Sequence, residues 1–184
     1  MSVWRWVFFP FLFFCVSSSA TVSVAFFEMY DHRQQRVELE KGGRFYHVAI
    51  STEAGWLHVS PKDGVELFES LDQVALKTVV LTDETRPTLS LQDIAPYLNL
   101  PFDYGYRWNS KNSTYCSKLV ANLLKIKPLP MTFESSHWKW AQLPSRRGKG
   151  LSPDDLYAAL KGRKNFKEQT ACSRWLHPPS PPSF

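Results

Sequence analysis

Residues 44–61 read RFYHVAISTEAGWLHVSP, and the fold turns on this stretch. Arg44 to Ser51 carries Tyr46, His47, Val48, Ala49 and Ile50 and predicts a buried strand. Trp56 to Ser60 predicts a second strand, stopped by Pro61. Thr52-Glu53-Ala54-Gly55 between them looks like a hairpin turn. If the loop has two or four residues, His47 and His58 share one sheet face, directly opposite or one diagonal apart. An odd-length loop would put them on opposite faces.

Working outward, Val22 to Met29 is rich in Val and Phe and predicts a strand. Asp31-His32-Arg33-Gln34-Gln35 reads as a turn, with Arg36 to Leu39 alternating like a return strand. Gly42-Gly43 breaks the chain before the hairpin. After it, Lys62-Asp63-Gly64 is a turn, Val65 to Phe68 a strand, and Thr78 to Leu81 another. The first half thus reads as a meander of short antiparallel strands. In the second half, Ser90 can cap a short helix from Leu91 to Leu98, limited by Pro96. Leu119, Val120, Leu123 and Leu124 form a helical stripe within Ser117 to Lys125. Ser152-Pro153-Asp154-Asp155 is a helix start: a capping Ser, Pro at the first position, then two acids at the positive end. That helix is expected to reach Lys161. No internal repeat is visible. The fold class is α+β, a small antiparallel sheet packed with helices.

The 184 residues fit one domain with short accessory segments. Arg5 precedes an uncharged apolar run from Trp6 to Val16, and Ser18-Ser19-Ala20 offers small residues for cleavage, so residues 1–20 read as a signal peptide. An uncleaved anchor is the rival, opposed by Ser17, Ser18, Ser19, Thr21 and Ser23. A lipid attached at Cys15 is disfavoured by the bulky Phe14. Residues 21–176 would then be the domain, and 177–184, with four Pro, a flexible tail. Net charge is +5, and loss of Arg5 makes it 5 − 1 = +4 in the mature chain. This mild excess, without any nucleic-acid motif, argues against nucleic acid as a partner. It suits contact with an anionic envelope surface, for which Arg146, Arg147, Lys149, Lys161, Arg163, Lys164 and Lys167 are candidates; an ordinary solvated surface is the plainer reading.

Of three cysteines, Cys116 and Cys172 would remain after cleavage, and an exported protein could pair them. Cys116 lies at the expected start of a helix. There the helix dipole favours thiolate, and first-turn N–H groups lacking helical partners can hold an oxyanion. A buried packing Cys is the alternative. His47 is similarly either a core imidazole bonded to a carbonyl or a base. His58 nearby favours the second role, with one imidazole accepting the thiol proton and the other orienting it. The scattered His and the lack of any zinc-spaced cluster predict no metal and no cofactor.

Three motifs together resemble the NlpC-type cell-wall cysteine peptidases, of the papain-fold superfamily, in the permuted branch called YiiX/YebB-like. They are Tyr46-His47-Val48-Ala49-Ile50; Trp56-Leu57-His58-Val59-Ser60-Pro61 with Gly64-Val65; and Pro101-Phe102-Asp103-Tyr104 followed by Tyr115-Cys116-Ser117-Lys118-Leu119-Val120. The resemblance covers roughly residues 40–125, and its strength lies in the order and spacing of the set. It implies a permuted papain-like fold in which Cys116 is nucleophile, His47 general base and His58 the orienting residue. It implies oxyanion or substrate-binding roles around Tyr104, Tyr115 and Ser117, with Tyr106 and Asp103 competing for the place of Tyr104. Lys118 stands where many members have Glu and is expected to face solvent. Tyr115 replaces an Asp frequent in unpermuted members.

These readings converge on a monomeric, exported cysteine hydrolase of the periplasm or cell envelope. Its expected substrate is an amide bond of peptidoglycan stem peptides. Acyl esters or amides remain an alternative, for which Trp56, Tyr104, Tyr106 and Trp108 would supply an aromatic cleft. A binding module that keeps the fold without turnover is a third possibility.

Overall fold

A computed structural model describes residues 21–74, 76–131 and 148–169. The expected signal peptide, the Pro-rich tail, Cys15, Cys172, Arg146 and Arg147 lie outside the described residues. The strands are β1 (Thr21–Glu28), β2 (His47–Thr52), β3 (Gly55–Ser60), β4 (Gly64–Phe68), β5 (Lys77–Pro87), β6 (Leu129–Pro130), β7 (Lys149–Gly150) and β8 (Phe166–Gln169). The α-helices are α1 (Leu91–Ile94), α2 (Cys116–Leu123) and α3 (Pro153–Lys161). A six-stranded antiparallel sheet runs β4-β3-β2-β1-β5-β8, and β6 pairs with β7 apart from it.

The hairpin forms with a two-residue loop, Thr52 facing Gly55 and Ile50 facing Leu57. Thr52 closes it with its hydroxyl, donating to Gly55 O at 2.9 Å and accepting from Ala54 N at 3.1 Å. Gly55 is required there. Its φ is +123°, and a Cβ would lie 2.6 Å from Phe68 O.

Four expectations need correction. Arg36 to Leu39 is not a strand; a single bridge from Tyr30 to Arg36 closes the turn instead. The strand expected from Arg44 starts at His47, because the Arg44 and Phe45 N–H groups donate to the Asp154 carboxylate on α3 rather than to a neighbouring strand. The meander ends at β4. β5 returns to pair with β1 along eight registered positions, which places the two strands side by side inside the sheet, away from its edges. β5 also runs six residues beyond Leu81, where Thr82 and Asp83 pair with Lys167 and Phe166 of the unforeseen β8. Finally, α1 is a single turn, although its Ser90 cap forms as expected.

The two sheet faces differ. Val24, Phe26, Val48, Ile50, Leu57 and Val59 pack with Leu119, Val120 and Leu123 of α2 and with Leu156 and Leu160 of α3. This is the main core, and a fully buried Leu contributes roughly 1.5–3 kcal/mol to it. The opposite face carries the smaller cluster of Ala25, Phe27 and Ala49, against which Trp56, Phe68, Leu71, Val74 and Val80 pack. The Ser152 capping box and Pro153 start α3 as its sequence dictates.

Candidate active site

Cys116 is the first residue of α2 and follows Tyr115, which has extended backbone and makes no side-chain cap bond. The first-turn N–H groups are therefore not consumed by a capping side chain. The sulfur is a free thiol and is only 7 % exposed. Burial pushes it from an ordinary 9.0 up to about 11, although the N–H groups of Ser117, Val48 and Cys116 pull the other way.

The Val48 contribution has a topological cause. β2 pairs with β3 only from Ile50 to Thr52. Alternation aims the Val48 N–H the same way as those of Ile50 and Thr52, yet no β3 partner is registered for it. The split between the two strands leaves that N–H to the sulfur.

His47 opens β2 opposite Phe27, so it projects on the face of Phe27 and Ala49, away from the face that packs on α2. Extending the hairpin register sets His58 opposite Ala49, one diagonal from His47. His47 Nε2 and His58 Nδ1 are 3.0 Å apart, the rings nearly perpendicular at 84°. The expectation that both imidazoles meet on one face is thus met. No hydrogen bond joins His47 to Cys116 among the described residues. The two nevertheless line one cavity of about 240 Å3 at the open end of the β2–β3 split. Burial, and secondarily the charge His58 would carry, hold His47 from 6.5 down to about 3. His58 is also held low by burial, partly offset by Glu66.

Glu66 was not singled out from the sequence. It stands directly opposite His58 across the β3–β4 ladder, with Oε1 3.3 Å from His58 Nε2. The signal available was the matched position of two polar residues in strands joined by a Lys-Asp-Gly turn.

Phe102, Tyr104, Tyr106 and Tyr115 form an aromatic wall with centroids 4.9–5.8 Å apart. Tyr104 is at the rim, 62 % exposed, its hydroxyl donating to Pro61 O at 2.7 Å. Tyr115 is buried, and its hydroxyl contacts Met131 Sδ at 3.9 Å. Ser117 is buried as well and donates to Leu151 O at 2.6 Å. Its hydroxyl proton is therefore committed to the α3 side of the cavity. Burial first, and then the charge Cys116 would carry, opposes ionisation of the Tyr46 and Tyr106 phenols, and the same charge also acts on Tyr115. Of the aromatic residues expected in the cleft, Trp56 packs instead in the smaller cluster and Trp108 against the main core.

Lys118 does not face solvent as expected. It is 3 % exposed, and Nζ donates to the carbonyls of Arg107, Ser110 and Ser113 at 2.7–3.0 Å. The loop that carries Tyr104 and Tyr106 closes at its base through Asp103 N to Thr114 O and Thr114 N to Pro101 O. Lys118 fills that loop from inside and so holds the aromatic wall in place.

A second cavity of about 380 Å3 adjoins the first through Tyr46, His47, Val59 and Pro61. Apart from the His47–His58 end it is lined mainly by apolar side chains, including Phe27, Met29, Phe68 and Leu76. On the surface, Lys161 pairs with Glu168 and Lys167 with Glu84, so part of the expected basic patch is neutralised. Among the described residues, no helix is long and apolar enough to cross a membrane.

No protein-family model matches this chain, and no curated protein matches it. Among solved structures it is similar to the metalloprotein YiiX from Escherichia coli O157:H7 (DUF1105). The TM-score is 0.55 at 14% identity, over 83% of this chain and 97% of that one. The chain therefore has a YiiX-like α+β fold. Among the described residues, no group of three or more His, Cys, Asp or Glu side chains could hold a metal ion. The two imidazoles turn one ring nitrogen each toward the other at 3.0 Å, and no third His, Cys, Asp or Glu among the described residues joins them there to complete an ion site.

Proposed function

We propose that this chain is an exported cysteine hydrolase of permuted papain-like architecture, with Cys116 as nucleophile, His47 as general base and His58 as its orienting partner. The observation that carries this reading is the shared cavity: a thiol at a helix N-terminus and the His47 imidazole, itself hydrogen-bonded to His58, line the same small space. The His strands precede the Cys helix, the order of the permuted branch, and the YiiX-like fold agrees with it.

The reaction begins with two neutral groups. As Cys116 Sγ attacks the carbonyl carbon, its proton passes to His47, and the carbonyl electron pair moves onto oxygen. The Cys116 N–H and a phenol from Tyr46 or Tyr106 are the donors for that oxyanion. His47 returns the proton to the leaving nitrogen or oxygen as the tetrahedral species collapses to a thioester. Water, deprotonated by His47, then releases the acid and restores the thiol. The chain's own residues supply each of these steps.

An amide of a peptidoglycan stem peptide is the first substrate reading, in keeping with an exported chain. The apolar cavity beyond His47 favours a second, an acyl ester or amide whose hydrocarbon chain fills that space. Incubating the mature protein with muropeptides and with acyl esters separates the two. Cleavage of either must disappear in Cys116→Ser and in His47→Ala. Cleavage of neither, in protein whose Cys116 is accessible to thiol reagents, would leave only a binding role.

A further inference from the structure

We infer that Glu66 is a positioning residue that sets the proton arrangement of both histidines and leaves His47 Nδ1 as the basic nitrogen. Its use in catalysis rests on the Cys116–His47 reading, but the proton arrangement itself does not.

A neutral imidazole carries one N–H and one lone pair, so each ring must choose. Glu66 Oε1 lies 3.3 Å from His58 Nε2. A carboxylate only accepts, so the favourable arrangement places the His58 proton on Nε2. The reverse would aim two lone pairs at each other. With its proton on Nε2, His58 has only a lone pair at Nδ1, which faces His47 Nε2 at 3.0 Å. His47 must then hold its proton on Nε2 and donate it to His58. The remaining lone pair of His47 sits on Nδ1. When Cys116 gives up its proton, Nδ1 receives it, and the imidazolium stays hydrogen-bonded through Nε2. No proton passes beyond His47: His58 and Glu66 orient the chain without changing protonation state.

The geometry makes this choice robust. His58 and Glu66 are registered partners in the ladder, so backbone pairing holds the contact. The other side of the His58 ring is held edge-on against Phe68 at 5.1 Å, which restricts ring flipping. Glu66 itself is 38% exposed, so solvent screens its charge.

Nitrogen-15 NMR of histidine-labelled protein reads each ring directly. The wild type is expected to show both His47 and His58 protonated on Nε2. Glu66→Met removes the acceptor while keeping the side-chain length, and should shift His47 toward the Nδ1-protonated form. Glu66→Gln keeps an acceptor oxygen and should retain most of the original arrangement. Hydrolysis, if present, should fall on the order of 10- to 100-fold in Glu66→Met, mostly in kcat, and recover in large part in Glu66→Gln. His47 protonated on Nδ1 in the wild type, or unchanged in Glu66→Met, overturns the inference. Because the NMR reading needs no turnover, an inactive protein with the expected wild-type and variant spectra would refute the hydrolase reading and leave this one standing.

Discussion

Iodoacetamide should alkylate Cys116 slowly at neutral pH and progressively faster up to about pH 11, with no plateau near neutrality. Burial raises the thiol from 9.0 to about 11 and lowers His47 from 6.5 to about 3. At pH 7 a thiol of pKa 9.0 is about 1% thiolate, and one at 11 about 0.01%, so Cys116 should react about 100-fold more slowly than an ordinary thiol. The same figures bear on turnover. Moving the proton from sulfur to His47 spans about eight pKa units, or about 11 kcal/mol if each charge formed alone. At a separation of about 4 Å, attraction between the new charges would return about 4 kcal/mol at an effective dielectric of 20. The remaining 7 kcal/mol or so fits within the roughly 17 kcal/mol barrier of a reaction at one per second. Turnover is therefore compatible with a pair that is neutral at rest and ionises only during attack. The assay follows alkylation by mass spectrometry from pH 5 to 11, with Cys116→Ser as the blank. A rate that levels off below pH 7 would reveal a preformed thiolate–imidazolium pair and refute this reasoning.

Stability should respond to acid. A His47 held down at about 3 contributes stability that is present above its unfolded value of 6.5 and lost as pH falls toward 3. Urea unfolding at pH 4.5 should show a loss of about 3 kcal/mol relative to pH 7, reduced in His47→Gln; equal losses in the two proteins would contradict it. On the alkaline side, stability tied to the Cys116 proton should persist to about pH 9 and decline as pH rises through about 11. In Cys116→Ser the part of the decline between about pH 9 and 10, below the range of the buried phenols, should be absent. Lys118→Met strips three carbonyls of their donor and should cost about 2–4 kcal/mol by denaturant unfolding; a change below about 0.5 kcal/mol would mean the loop closes without it. Ser152→Ala removes the α3 cap and the bond to Glu40 and should cost about 1 kcal/mol, read as a lower Tm.

The hairpin and the starts of α2 and α3 were legible in local sequence, and so was the meeting of His47 with His58 once the loop had two or four residues; its length of two was settled only by the strand register. Each depends on spacing within a dozen residues: a period of two in strands, caps and Pro at a helix start, and turn residues between apolar runs. The candidate site was legible to the same extent, because Cys116 and both histidines sit on such elements.

Other features depended on distant segments. Nothing near Thr78 announces that β5 will pair with β1 instead of extending the meander, or that Phe166 to Gln169 will add an edge strand. Lys118 looks like a solvent residue because lysine usually is one. Its burial arises from a loop ending eleven to five residues earlier, whose carbonyls need a donor. Glu66 acquires a role only when β4 is laid against His58, and the Val48 N–H becomes free only where β2 and β3 part. Local periodicity decides which face a side chain takes within its own element. Which elements become neighbours is decided by burial summed over the whole chain, and only that assembly brings the sulfur and the His47 imidazole to one cavity.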